Sequence, residues 1–158
     1  LSSAASDVYK RQVMGTADCF ICEADLYISD LSIFDAELSR SCYYGKMVPG
    51  FSDDWVFDWD GERITRVGKE GTDRYNMVGV SYFKKADAAV IRDAIDAAYE
   101  KPGYEGLYWD EIVDRQLDKL NLDIHPVEKE QIVEIDSVAE LAVIDESYRE
   151  VLEKMQAE

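Results

Sequence analysis

The sequence predicts an α/β sandwich of mixed strands and helices, with its sheet incomplete on the N-terminal side. Three observations carry that expectation. Two short apolar runs, Phe20-Ile21-Cys22 and Ile132-Val133, each lead into an acidic pair, Glu23-Ala24-Asp25 and Glu134-Ile135-Asp136. Between them lies a strongly alternating aromatic segment, Trp55-Val56-Phe57-Asp58-Trp59, followed by the turn pair Asp60-Gly61, the pattern of a hairpin. Further on, apolar residues recur at the α period through 86–99 and 108–120.

Taken in order, residues 18–24 read as a buried strand because Cys-Phe-Ile-Cys is continuously apolar. Residues 31–38 suit a helical turn. Residues 41–48 form a second strand ended by Pro49-Gly50, and 55–59 pairs with 63–67 across the Asp60-Gly61 turn. Residues 68–73 read as a polar loop, and 76–83 as a strand in which Gly79 marks a close backbone or ligand approach. The helix over 86–99 stops at Pro102-Gly103. A second helix over 108–120 presents Trp109, Ile112, Val113, Leu117 and Leu120 on one face. Strands follow at 122–127 and 131–135. Ser137 and Glu140 make an S-x-x-E capping box, so the last helix begins directly after Asp136. Its stripe of Leu141, Ile144, Tyr148, Val151, Leu152 and Met155 is expected to pack back on the domain.

The chain has 158 residues, room for one domain with a real core. A content of 47% hydrophobic residues and ten Tyr argues for a folded chain. Asp and Glu number 34 against 17 Lys and Arg. That balance excludes nucleic-acid binding through phosphates and attraction to anionic lipid, and it favours cationic ligands and metal ions. Neither a spanning segment nor a signal peptide is visible. Cys19, Cys22 and Cys42 are odd in number, and Cys19-x-x-Cys22 lacks the second pair a zinc site needs. Buried free thiols in a reducing, cytoplasmic compartment are therefore expected. His125, the single histidine, precedes Pro126 in a strand and reads as structural.

The chemistry concentrates in two constellations. Asp25 and Asp136 stand at the ends of their strands, where α/β sheets open to ligand. Brought together they repel unless a cation lies between them, and hard carboxylate oxygens suit Mg²⁺. The bland alternative is that Asp136 merely favours a helix start and Asp25 a loop. The second constellation is aromatic and acidic: Asp53-Asp54-Trp55 and Leu107-Tyr108-Trp109-Asp110. Ring faces attract cations, quaternary ammonium groups above all, and a neighbouring carboxylate adds to that attraction. Core packing is the competing explanation for Trp55 and Trp109.

From Cys19 to Leu152 the chain resembles the C-terminal two-thirds of bacterial CTP:phosphocholine cytidylyltransferases, in the sugar-phosphate nucleotidyltransferase superfamily. Five blocks carry the resemblance in order: Ile21-Cys22-Glu23-Ala24-Asp25; Asp54-Trp55; Val78-Gly79-Val80-Ser81-Tyr82-Phe83; Leu107-Tyr108-Trp109-Asp110; and Val133-Glu134-Ile135-Asp136-Ser137. The resemblance implies a three-layer αβα, Rossmann-like nucleotidyltransferase fold. It also implies that Asp25 and Asp136 hold Mg²⁺ and serve catalysis. Trp55, Tyr108, Trp109 and Asp110 would receive the trimethylammonium head, with Glu134 nearby. The implied substrates are CTP and phosphocholine, and the products CDP-choline and pyrophosphate.

Departures from the family pattern set further expectations. The family's Gly-x-Gly-x-Arg phosphate loop has no counterpart among the nine glycines here. Residues 13–158 are accordingly expected to be the acceptor- and metal-binding part of a single nucleotidyltransferase domain, inactive by itself. Leu1 to Gln12 resemble translated adapter sequence. Leu26 stands where the family often has Asn, and Phe83 where it has Trp. Rival readings are a nucleotidyltransferase for a sugar 1-phosphate or phosphoethanolamine, and a non-catalytic module binding a cationic small molecule. Oligomeric state is not legible.

Overall fold

A computed structural model describes residues 13–156, so the adapter-like stretch 1–12 lies outside the described residues. Among the described residues the elements run in the order β1 (Cys19–Cys22), β2 (Leu26–Ile28), β3 (Cys42–Trp59), β4 (Ile64–Phe83), α1 (Lys85–Tyr99), α2 (Trp109–Asp114), β5 (Asp123–Pro126), β6 (Ile132–Glu134), α3 (Val138–Ile144) and α4 (Arg149–Gln156). The main sheet has the order β1-β4-β3-β5, antiparallel except for the parallel β3–β5 pair. A second, two-stranded antiparallel sheet joins β2 to β6. The architecture is the expected α/β class.

The main sheet is built around one long curled ribbon. The sequence suggests a strand ending at Pro49-Gly50 and a loop over 68–73, but β3 and β4 run through both. The two breakers face each other: Val48 pairs with Arg74 and Phe51 with Thr72, leaving Pro49, Gly50 and Asp73 as a shared bulge. Gly50 and Asp73 both adopt positive φ, and the Asp73 carboxylate accepts from the Gly50 N–H at 2.8 Å. Breakers placed opposite one another thus bend the ribbon without ending it. The bend lets Val56 and Phe57 pair with Gly68 and Val67 on one side and with Asn76 and Tyr75 on the other. Asp58 fastens the curl, accepting from Arg66 and Arg74 at 2.8 Å each. At the expected turn, Asp60 Oδ1 accepts from the backbone of Glu62 and Arg63.

Alternation along β3 sends neighbouring side chains to opposite faces. Tyr43 joins Phe57, Phe83, Ile91, Ile95, Trp109, Ile112 and Val113 on the helical side. Tyr44 joins Ile33, Val78, Val80, Val127 and Ile132 on the other. Phe83, the position where the family has Trp, is fully buried packing. Helix α1 buries Ala88, Ile91 and Ile95, one stripe at the α period. Its first turn is held from outside the helix: Asp18 accepts from the Lys85 N–H at 2.7 Å, and Ser41 Oγ from the Lys84 N–H at 2.8 Å.

Two helical expectations need correction. The helix expected over 108–120 ends at Asp114, and i→i−3 bonds carry the chain on to Lys119. The Asp114 carboxylate accepts from the Val67 N–H at 2.7 Å, tying that turn to β4. A three-residue period then suffices to bury Leu117 and Leu120. The last helix starts with its capping box as expected, Ser137 Oγ accepting from the Glu140 N–H. It breaks at Asp145, which is extended and whose carboxylate accepts from the Ser147 N–H, starting a new turn. The stripe beyond the break does not pack back: Tyr148, Val151 and Met155 are 40%, 44% and 61% exposed.

The three cysteines are free as expected, but only Cys42 is buried, with Cys19 partly exposed. Cys42 is buried and its thiol is pushed up to about 12 by that burial, whereas Cys22 is exposed. His125 stacks on Tyr44 with ring centroids 4.5 Å apart, and burial lowers its pKa.

The burial pattern predicts unequal costs along Tyr108-Trp109. Trp109→Ala should destabilise the chain by about 3–5 kcal/mol, as for a large aromatic removed from a packed core. Tyr108→Ala, at an exposed site, should cost within about 0.5 kcal/mol. Urea denaturation of both variants measures the difference.

Candidate active site

The backbone brings the two acidic segments together. In the β2–β6 ladder Leu26 pairs with Glu134, and just beyond it the Ile135 N–H donates to the Asp25 carbonyl at 2.8 Å. Leu26, the departure from the family's Asn, is thus a ladder residue beside Glu134. Asp25 and Asp136 therefore flank one strand pair, on neighbouring backbones.

Side chains complete the arrangement differently from the expected pair. Carboxylate oxygens of Glu23, Asp25 and Glu134 lie within 4.8 Å of one another. Asp136 stands outside this triplet, close enough to act on Glu134 through its charge. Glu23 belongs to the first block of the resemblance, which gives it no role. Its signal is the shared E-x-D spacing of Glu23/Asp25 and Glu134/Asp136; in the first pair the β1–β2 turn brings the two carboxylates together.

Gly79 makes the approach possible. It sits at φ +73°, and its carbonyl accepts from the Glu23 N–H at 2.9 Å. A Cβ there would lie 2.8 Å from Glu23 Oε2 and 3.0 Å from Leu26 Cδ2. The backbone conformation favours glycine, and a Cβ there would push aside the flexible ends of Glu23 and Leu26.

Burial, then the charges of Asp136, Asp25, Glu23 and Asp54, hold the Glu134 carboxyl above its ordinary range. Crowded carboxylates of this kind match the donor set of a hard divalent cation, which neutralises them and takes oxygen ligands. The residues present therefore fit Mg²⁺.

The aromatic constellation joins the ribbon at Trp55 to the start of α2 at Tyr108–Asp110. Asp54 Oδ1 accepts from the Trp55 N–H at 2.8 Å, so the segment carrying Trp55 also carries a carboxylate felt by Glu134. Trp55 meets Tyr108 edge to face, centroids 5.6 Å apart. These rings line a cleft of about 570 Å³ with Arg66, Lys69, Glu111 and Arg115. Trp109 and Asp110 turn inward instead. Trp109 is 6% exposed and packs on Tyr43 and Phe83. Asp110, 4% exposed, accepts from the Tyr43 hydroxyl at 2.8 Å. The tetrad Trp55, Tyr108, Trp109 and Asp110 thus divides into two cleft residues and two that anchor the helix start beneath them. Lys69, which sequence reasoning missed, places its ammonium 5.8 Å from the Trp55 ring centre and 5.4 Å from that of Tyr108.

The curled mixed sheet and its helices match solved nucleotidyltransferases, and the chain has the Rossmann-like nucleotidyltransferase fold. In structure it matches the CTP:phosphocholine cytidylyltransferase of Streptococcus pneumoniae with a TM-score of 0.75 at 23% identity, over 94% of this chain and 64% of that one. In sequence it is 52% identical over 145 residues to a 2-aminoethylphosphonate cytidylyltransferase of Lancefieldella rimae, covering 90% of this chain and 59% of the relative. It is 26% identical over 131 residues to the choline-phosphate cytidylyltransferase of Streptococcus pneumoniae, covering 82% and 57%. The chain thus spans less than two-thirds of the length of these curated relatives. No family model matches it. Among the described residues no helix is long and apolar enough to cross a membrane.

Burial and crowding at Glu134 set a pH dependence. Because its folded pKa is raised, the folded chain holds that proton more tightly than the unfolded one. Its contribution to stability is present at low pH and falls as pH rises through the window just above the ordinary Glu value of about 4.3. Without metal at pH 7, Glu134→Gln should raise the melting temperature by about 1–2 °C, a screened, surface-sized effect. The same variant should lose most of the stabilisation that Mg²⁺ gives the parent chain, with thermal melts run with and without the ion as the check.

Proposed function

We propose that the chain is the acceptor- and metal-binding part of a Mg²⁺-dependent cytidylyltransferase, an enzyme transferring CMP from CTP to a small phosphonate or phosphate with a cationic amine. The observation that carries this reading is the convergence of Glu23, Asp25 and Glu134, with Asp136 beside them, next to the segment that carries Trp55. The first-choice acceptor is 2-aminoethylphosphonate. Identity to the relative named for that acceptor is double the identity to the choline-phosphate relative.

The chemistry of the cleft supports a primary amine. Two rings rather than a closed box face the cleft, and Glu111 and Asp114 line it beside Arg66, Lys69 and Arg115. A primary ammonium gains from both, since it donates hydrogen bonds to carboxylates as well as sitting on ring faces. A trimethylammonium head gains only from the rings and the Coulomb field. Phosphocholine, the acceptor named by the family resemblance, is the second choice, favoured by the Trp55–Tyr108 pair itself.

In the proposed reaction an acceptor oxygen attacks the α-phosphorus of CTP, and the bond to the departing pyrophosphate breaks. Asp25 and Asp136, with Glu23 and Glu134, would hold the divalent ion. When bound, Mg²⁺ supplies charge neutralisation between the phosphate groups. Trp55 and Tyr108 orient the amine so that the phosphonate oxygen faces the nucleotide. Asp110 and Trp109 fix the helix start that presents Tyr108. Positioning and charge compensation account for catalysis, with no covalent intermediate on the protein.

The test is a chimera in which this chain replaces the matching 145-residue segment of the Lancefieldella rimae relative. Pyrophosphate release with CTP should be faster with 2-aminoethylphosphonate than with phosphocholine. The reverse order would make phosphocholine the acceptor, and preference for a sugar 1-phosphate would reject a cationic acceptor altogether. In the same chimera Asp25→Ala and Asp136→Ala should each lower turnover by about 10²–10³, the scale of losing one charge-stabilising group. Unchanged turnover would favour the non-catalytic binding module.

A further inference from the structure

Lys69 is a cross-strand neighbour of Trp55 in the β3–β4 ladder, so the two side chains leave the ribbon on one face. Tyr108, arriving from the start of α2, closes over the same spot. The Lys69 ammonium rests 5.8 Å and 5.4 Å from the two ring centres. In a chain of net charge −17, it has no ion-pair partner among the described residues and uses the two rings instead. It also lines the cleft through which a ligand must approach them.

We infer that Lys69 is a built-in occupant of the cation site, which an acceptor's ammonium must displace to reach Trp55 and Tyr108. Lys69 is thereby a specificity-determining residue: it sets a threshold that a cationic head has to exceed. The inference rests on the reading of the ring pair as the acceptor's cation site. A cation–π contact at an exposed site is weak, so the threshold is low, and its removal should tighten binding of any cationic head about two- to fivefold. Displacement also frees the Lys69 ammonium, on a flexible four-carbon stem, beside the bound acceptor.

Tetramethylammonium, a head without a phosphonate, isolates this step. It is titrated by NMR into the full chain, Lys69→Met, Lys69→Arg and Trp55→Ala. Lys69→Met should bind it about two- to fivefold more tightly than the parent, while Lys69→Arg, which keeps a cation on the rings, stays near the parent. In the free parent chain the Lys69 ε-methylene protons should be shifted upfield by the rings, returning toward the solvent value as tetramethylammonium saturates. Equal or weaker binding by Lys69→Met, or ε-methylene protons that do not move on saturation, would overturn the role of Lys69 and leave the ring site standing. Binding that is absent throughout, or unaffected by Trp55→Ala, would instead reject the ring pair as the cation site.

Discussion

Carboxylate repulsion is the constraint around which this molecule is arranged. Glu23, Asp25 and Glu134 would separate if side-chain preference alone placed them. Backbone hydrogen bonds hold them together: the β2–β6 ladder, the Ile135–Asp25 bond and the Glu23–Gly79 bond. None of these can relax without opening a strand pair, and burial followed by the neighbouring carboxylates raises the proton affinity of Glu134. Groups made to bear such crowding mark a place where an outside charge is expected.

The long ribbon links that place to the rings. Asp54 and Trp55 are consecutive, and Asp58, three residues on, pins Arg66 and Arg74 across the curl. The cleft walls Trp55 and Lys69 therefore belong to a braced piece of sheet. Tyr108 comes from the other direction, on a helix start whose next two residues are sunk into the core. Rigid support from two sides gives an edge-to-face ring pair a fixed geometry even though Tyr108 itself is half exposed.

Much of this was legible in the sequence. Strand-end acidic pairs, the Asp60-Gly61 turn, Gly79 and the Ser137 capping box each depend on local chemistry, and each sits where its residues require. The failures share a cause, since they depend on what lies opposite in space. Pro49-Gly50 and residues 68–73 carry stop signals individually, yet Asp73 faces Pro49-Gly50 in a bulge and the rest of 68–73 pairs with 51–56. The α period through 108–120 was real for burial, but the Asp114 bond to β4 tightened the winding. The stripe at Tyr148, Val151 and Met155 had the right spacing, and Asp145 cut it off from the core. At the site, Glu23 could have been found from its spacing. Lys69 could not, because only the ladder register sets it against Trp55.

The two halves of the site come from separate pieces of the fold. The carboxylates are supplied by the β1–β2 connection and β6, the rings and Lys69 by the β3–β4 ribbon and the entry to α2. On the proposed reading, evolution could exchange one acceptor for another by editing the Trp55–Lys69 stretch of the ribbon and the entry to α2, leaving the ion-holding strands untouched. Such modularity gives a physical route by which enzymes for different head groups would diverge from one scaffold.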